Sequence, residues 1–136
     1  RNTIGTSFPV KPIVKRFKIM AGGISVHVVD ITRGLPAAGM KVEIFSMSDL
    51  NQPIASGMLS SKGLLDHPIV EGKGCDRGQY EVVFYIGDFY RQVGYSLLDP
   101  PFLDVVPFRF GIGDADQHYH LPLKVSPWGF SLFRGG

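Results

Sequence analysis

At 136 residues, 44% of them apolar, the chain is long enough for one well-buried core and too short for two ordinary domains. A mean hydropathy of +0.10 argues against disorder. A net charge of +2, from 14 basic and 12 acidic residues mixed along the chain, leaves no basic face or stripe for nucleic acid. The single cysteine, Cys75, excludes an intrachain disulfide and cannot build a cysteine-based zinc site alone, and no apolar run approaches the roughly 20 residues a membrane-spanning helix needs.

In chain order, residues 1–20 carry Lys11, Lys15, Arg16 and Lys18 with no clear period. They predict a basic arm, either mobile or packed on a neighbouring subunit through Phe8, Ile13 and Phe17, ahead of one domain over residues 21–136. Gly23 to Asp30 is β-branched and predicts a first strand, with Ser25, His27 and Val29 on one face and Ile24, Val26 and Val28 on the other. Thr32 to Pro36 is turn chemistry. Met40 to Ser46 alternates as a half-buried strand should. Ile54 to Leu59 predicts a short strand between the Asp49–Pro53 loop and the Ser60–Gly63 turn. A short helix is expected between Ile69 and Gly74, and Cys75 in the Glu71–Gly78 loop reads as an incidental exposed thiol. His67, beside Pro68, reads as a surface residue. Gln79 to Ile86 predicts a strand, Asp88 to Arg91 at most a turn of helix before Gly94, and Leu98 to Asp104 an extended loop. Val105 to Gly111 predicts a strand at a sheet edge, because Pro107 has no N–H to give. The final hairpin opens at His118-Tyr119-His120, runs through Val125 and turns at Ser126-Pro127-Trp128-Gly129. Seven or eight short strands punctuated by 17 Gly and 10 Pro predict an all-β fold, a two-sheet sandwich.

The chemistry gathers at the two ends of this pattern. A strand through His118-Tyr119-His120 sends both imidazoles to one face and the tyrosine to the other. His27 on the first strand and His118 or His120 on the last pair can share one concave site. Imidazole titrates near neutrality and so can relay a proton or position a water. The plainer reading of each is a strand histidine hydrogen-bonded to a neighbour, and His-x-His with a third histidine is also a zinc pattern. Ser131 can hydrogen-bond a substrate, but acting as a nucleophile needs a base in reach. Arg134 can clamp an anionic or carbonyl-rich ligand through its fork of donors, or simply be a solvated tail residue. Residue by residue, the reading ends at a sandwich with a histidine-lined site and no substrate.

Three segments together carry a family resemblance over about residues 23–136. They are Ser25 to Asp30 with Gly34-Leu35-Pro36-Ala37; Asp99 to Pro107 with Phe110-Gly111-Ile112; and His118 to Leu123 with Ser126 to Ser131, closing in Phe133-Arg134-Gly135-Gly136. In these the chain resembles the transthyretin-like 5-hydroxyisourate hydrolases. The resemblance implies a transthyretin-type sandwich with one short helix. It also implies a homotetramer, a dimer of dimers whose central channel holds the active sites, and hydrolysis of an amide bond in a cyclic ureide without metal or cofactor. It assigns catalytic roles to His27 and His120 and pocket roles to Ser131 and Phe133; His118 and Arg134 are expected, on their place in the chain, to join the substrate-binding set.

The departures from the family pattern matter as much. The family's third catalytic residue is an arginine in an Asp-Gly-Arg turn; Lys62-Gly63-Leu64 stands there, so Leu64 replaces it. The closing tyrosine is Phe133 and the final serine Gly136. Losing one donor aimed at developing charge costs on the order of a hundredfold or more in rate, and a more apolar pocket suits a ligand with methyl groups in place of N–H groups. The expected function is hydrolysis of a 5-hydroxyisourate-like ring that is less polar or N-methylated, with the water activated by the histidine pair and Leu64 and Phe133 touching the substituents. Against it stand an ordinary 5-hydroxyisourate hydrolase in which another arginine compensates, a non-hydrolytic carrier of transthyretin type, and other chemistry such as a cyclase or isomerase in the same pocket. The expected compartment is the cytoplasm, where a lone thiol stays reduced.

Overall fold

In the computed structural model the described residues are 22–136, so the basic arm expected over residues 1–20 lies outside them. Strand β1, Ile24–Asp30, alternates strictly between buried and half-buried positions. Ile24, Val26 and Val28 are fully buried, and each such side chain contributes about 1.5–3 kcal/mol on leaving water. This one-sided burial fixes the strand's register, since a slip by one residue would turn the apolar set to solvent.

Among the described residues eight strands form two four-stranded sheets. The first sheet has the order β2 (Leu35–Pro36), β1, β7 (Tyr119–Ser126), β8 (Gly129–Leu132). The second has the order β4 (Ala55–Met58), β3 (Lys41–Ser46), β5 (Gly78–Tyr85), β6 (Val105–Ile112). Between them lies a core of inward residues, among them Val26, Val42, Ile44, Val82, Phe84, Leu121, Leu123 and Val125. β1 and β7 pair in parallel, with Ser25 opposite His120 and His27 opposite Pro122. A parallel pair needs a crossover, and here the whole second sheet is the crossover. That register carries the first histidine to the last hairpin. β6 is an edge strand, as Pro107 requires.

The helices differ from expectation. The segment after His67 forms only a 3-10 turn, Pro68–Glu71, while the α-helix, α1, is Ile86–Gln92. Ile86, Gly87, Phe89 and Tyr90 are buried on one face at helical spacing. Seven residues wedged between a strand and Gly94 are too few for that period to stand out in the sequence. His67 is half-buried, and its Nδ1 accepts the Ile69 N–H at 3.0 Å, capping the 3-10 turn. Cys75 is not an exposed loop thiol: it is 9% exposed, within the core. Burial, reinforced by the Asp76 charge, pushes its thiol up to about 11. The loop folds back over Ile69, bringing Cys75 Sγ to 3.9 Å from the Ile69 carbonyl.

One carboxylate is sealed in the core. Asp30, at the end of β1, has 0% exposure. It accepts from Arg33 Nε at 2.5 Å, from the Tyr90 hydroxyl at 2.7 Å, and from the Thr32 N–H at 3.1 Å and the Thr32 hydroxyl. Desolvation works against its charge, but these donors outweigh it and hold the carboxyl below the usual carboxylate value.

Candidate functional site

The outward face of the first sheet carries the histidines. Tyr119 turns into the core, 6% exposed, while His118 and His120 lie half-buried on the opposite face, as strand parity demands. Ser25, on the same face of β1, lies between them: its Oγ is 2.8 Å from His118 Nε2 and 2.6 Å from His120 Nδ1. His118 Nδ1 is 2.8 Å from the carbonyl oxygen of Gly22. Gly22 and Gly23 both hold positive φ angles, 83° and 96°. A Cβ on Gly23 would come within 2.2 Å of the Val70 carbonyl oxygen, so only glycine lets the chain enter β1 here.

His27 stands one row further along β1. On one side it bridges antiparallel to Leu64, with Gly63 C=O accepting the Val28 N–H at 3.0 Å; on the other it faces Pro122. Leu64 and His27 are directly opposite each other and so share a face. Gly63 makes this possible, because φ is 74° and a Cβ would fall 2.5 Å from the Val28 carbonyl oxygen. Burial lowers the His120 imidazole below its ordinary value, and the charges of His27 and His118 add to the effect. His120 therefore stays neutral to more acidic pH than a free imidazole, which suits a general base.

The C-terminal hairpin supplies the rest of the floor. β8 places Ser131 opposite Lys124 and Leu132 opposite Leu123, and Gly135 bridges His120, donating its N–H to the His120 carbonyl at 2.7 Å. Phe133 thus falls opposite Pro122, 48% exposed. One row across the sheet reads Leu64, His27, Pro122, Phe133, spanning three strand spacings or about 14 Å. Ser131 lies one row beyond, exposed and on the same face. A side chain at Gly135 would strike the His120 ring, Cβ to Cδ2 at 2.7 Å. An open groove of about 480 Å³ runs beside this floor, lined by Ser25, Leu64, Asp66, His67 and Glu71; neither His27 nor His120 lines it.

Of the residues expected at the site, His27, His118, His120, Leu64, Ser131 and Phe133 share this outward face. Arg134 is not brought to the imidazoles, though its Nη2 donates to the His118 backbone carbonyl at 3.3 Å. Parity turns it away from Phe133 and Gly135, its guanidinium carbon lies 4.0 Å over the Tyr119 ring, and Nη2 donates to Gln117 Oε1 at 2.8 Å. Among the described residues no three His, Cys, Asp or Glu side chains group as a metal site would need. Sequence reasoning passed over Ser25, Gly22 and Gly135. The signal for Ser25 was its place two residues before His27 on the same face.

Fold and relatives together define an enzyme of the hydrolase type on a transthyretin-like sandwich. The chain belongs to the HIUase/Transthyretin family, whose model matches residues 24–135. It is 45% identical over 116 residues to 5-hydroxyisourate hydrolase 2 of Rhizobium meliloti, covering 85% of this chain and 97% of that protein. Among solved structures it superposes on an (S)-allantoin synthase with a TM-score of 0.78 and 36% identity, over 88% of this chain but only 45% of that one. It also superposes on Klebsiella pneumoniae 5-hydroxyisourate hydrolase with a TM-score of 0.68 and 25% identity, over 83% of this chain and 98% of that one. No helix among the described residues is long and apolar enough to cross a membrane.

Proposed function

We propose that the protein opens an amide bond of a cyclic ureide of the 5-hydroxyisourate type, and that its preferred substrate carries N-methyl groups. The hydrolase names of its relatives support the reaction class. The observation that carries the substrate preference is Leu64, whose backbone bridges to that of His27 and which sets an isobutyl group on the same face, at the position where the family resemblance calls for arginine. His120 takes a proton from a water through Nε2, and the resulting hydroxide attacks the ring carbonyl. His27 holds that water or the carbonyl oxygen from the adjacent row, Ser131 binds a second carbonyl, and Leu64 and Phe133 meet methyl groups. Collapse of the tetrahedral intermediate breaks the C–N bond, and the proton held by His120 goes to the departing nitrogen, leaving a carboxylate. A carrier would have no use for two imidazoles in electrostatic contact beside a relay-capable serine.

The site floor is open in a single chain, and Phe133 is exposed on it. A second copy of the same face closes it in this reading, giving a homotetramer with sites where its dimers meet. Light scattering then gives about four times the 15.0 kDa chain mass. The reading places the enzyme in the cytoplasm, in keeping with its unpaired thiol.

The deciding experiment generates 5-hydroxyisourate and its trimethylated analogue in situ with an oxidase and follows their ultraviolet decay with and without the protein. Faster decay of the methylated ring alone is the expected result. Acceleration of the unmethylated ring alone would overturn the specificity assignment, and no acceleration of either would overturn ureide hydrolysis itself.

A further inference from the structure

The Gly22 carbonyl fixes the direction of every hydrogen bond in the chain that ends at His120. A carbonyl oxygen can only accept, so His118 Nδ1, 2.8 Å away, carries the hydrogen. In the neutral ring His118 Nε2 is then an acceptor, and the Ser25 hydroxyl 2.8 Å away donates to it. Having spent its one hydrogen, Ser25 Oγ accepts from His120 Nδ1 at 2.6 Å. This leaves the hydrogen of a neutral His120 on Nδ1 and a bare lone pair on Nε2, the nitrogen turned away from Ser25. We propose that Ser25 and His118 are positioning residues: they hold His120 in the Nδ1–H tautomer, so that Nε2 is a base, and they carry its second proton away along the chain.

The relay balances. When Nε2 takes a proton from water, an N–H bond forms and an O–H bond breaks. The Nδ1 hydrogen passes to Ser25 Oγ, and the serine's own hydrogen passes to His118 Nε2. The positive charge then rests on His118, whose Nδ1–H points at the Gly22 carbonyl. Reversal of the same two transfers returns the proton through His120 Nε2 to the nitrogen leaving the ring, and the site is restored. The structure around the relay keeps it in line. Gly22 N–H donates to the Asp116 carbonyl at 2.9 Å, and Tyr119 N–H to the Gly23 carbonyl at 2.9 Å, pinning the start of the strand pair where the relay sits. Gly135 lies against the His120 ring with no room for a side chain.

The proposal deepens the hydrolase reading of this site, and its test separates the two. The chain has 4 histidines, so a protein labelled with ¹⁵N only in histidine gives a spectrum simple enough to assign with single His→Asn variants. Long-range ¹H–¹⁵N correlation at neutral pH should show His118 and His120 both protonated at Nδ1 and bare at Nε2. Ser25→Ala should return His120 to the Nε2–H form and lower kcat on the order of ten- to a hundredfold with KM changed little, and Ser25→Thr should restore both. An Nε2–H tautomer of His120 in the unaltered protein would overturn the relay, whatever the variants do. So would a Ser25→Ala spectrum identical to it. If the expected tautomers appear and no ureide is turned over, the relay stands and the hydrolase reading falls; turnover with the opposite tautomer has the reverse meaning.

Discussion

Strand β1 carries two polar networks, five residues apart and on opposite faces, and they end differently. At Asp30 the network is closed. Arg33, Thr32 and Tyr90 all donate to one carboxylate that water never reaches. At Ser25 the network is open: three hydrogen bonds run from Gly22 through His118 and Ser25 to His120 and then stop at the sheet's outer surface. Buried polar groups are almost always satisfied because an unmet one costs about 1–3 kcal/mol. The closed network is therefore stability, and in the proposed reading the open one is capacity kept for a substrate. Parity along seven residues of strand is enough to hold the two apart.

Perturbing each network in turn tests this separation, and the largest effect should fall at its open end. His120→Ala is expected to lower kcat/KM by about 10²- to 10⁴-fold, the range for loss of a general base, with the thermal midpoint and the oligomer unchanged. His27→Ala should resemble it. Full turnover in either variant would undo the assignment of the pair. Asp30→Ala should do the opposite. It leaves the Tyr90 hydroxyl only the Val125 carbonyl at 3.1 Å and frees Arg33, whose side chain is 32% exposed and so partly screened, for a loss of about 3 kcal/mol in urea unfolding. Activity per folded molecule should hold, and a variant that lost activity while keeping its stability would mean the two networks are coupled.

Leu64→Arg restores a donor beside His27 and is expected to raise turnover of unmethylated 5-hydroxyisourate by roughly ten- to a hundredfold while lowering it on the trimethylated ring. A steady-state comparison of both substrates reads this directly, and no gain on the unmethylated ring would separate the leucine from specificity. Tyr90→Phe removes one bond from the closed network and should cost about 1 kcal/mol, again by denaturant titration. The smallest effect is in pH. Because the folded His120 value is lowered, its neutral, basic form persists below the usual imidazole range, and protonation removes activity only as pH falls through the lowered value. The acid limb of kcat/KM should therefore lie below pH ~6.5, and a limb above it would point to another group.

Much of this was legible in the chain. Alternation over residues 24–28 and at Tyr119–Ser126, where apolar and polar residues take turns, settled which side of each strand faces the core. Pro107 marked an edge strand, and the His118-Tyr119-His120 spacing put two imidazoles on one face. The α-helix was harder to see, since Ile86–Gln92 is one face of two turns joined to an apolar strand and its period shows only once Phe89 and Tyr90 are packed. Cys75 misled for a related reason. Glycines and charges surround it, and the loop's return over Ile69, a tertiary event, buries it.

The sequence by itself determined the fold class, the parity of each strand and the residue types available at the site, because these depend on neighbours within a few positions. It also put Leu64 in the turn where the family resemblance calls for arginine. Tertiary structure decided which of those residues meet. The parallel register of β1 against β7 brings Ser25 to His120 across 95 positions. A left-handed turn at Gly63 sets Leu64 beside His27, and strand parity takes Arg134 to the Tyr119 ring instead of to the imidazoles. Pairing between distant strands is chosen by the burial of their inner faces, so the partners on the outer face follow from a core they do not touch.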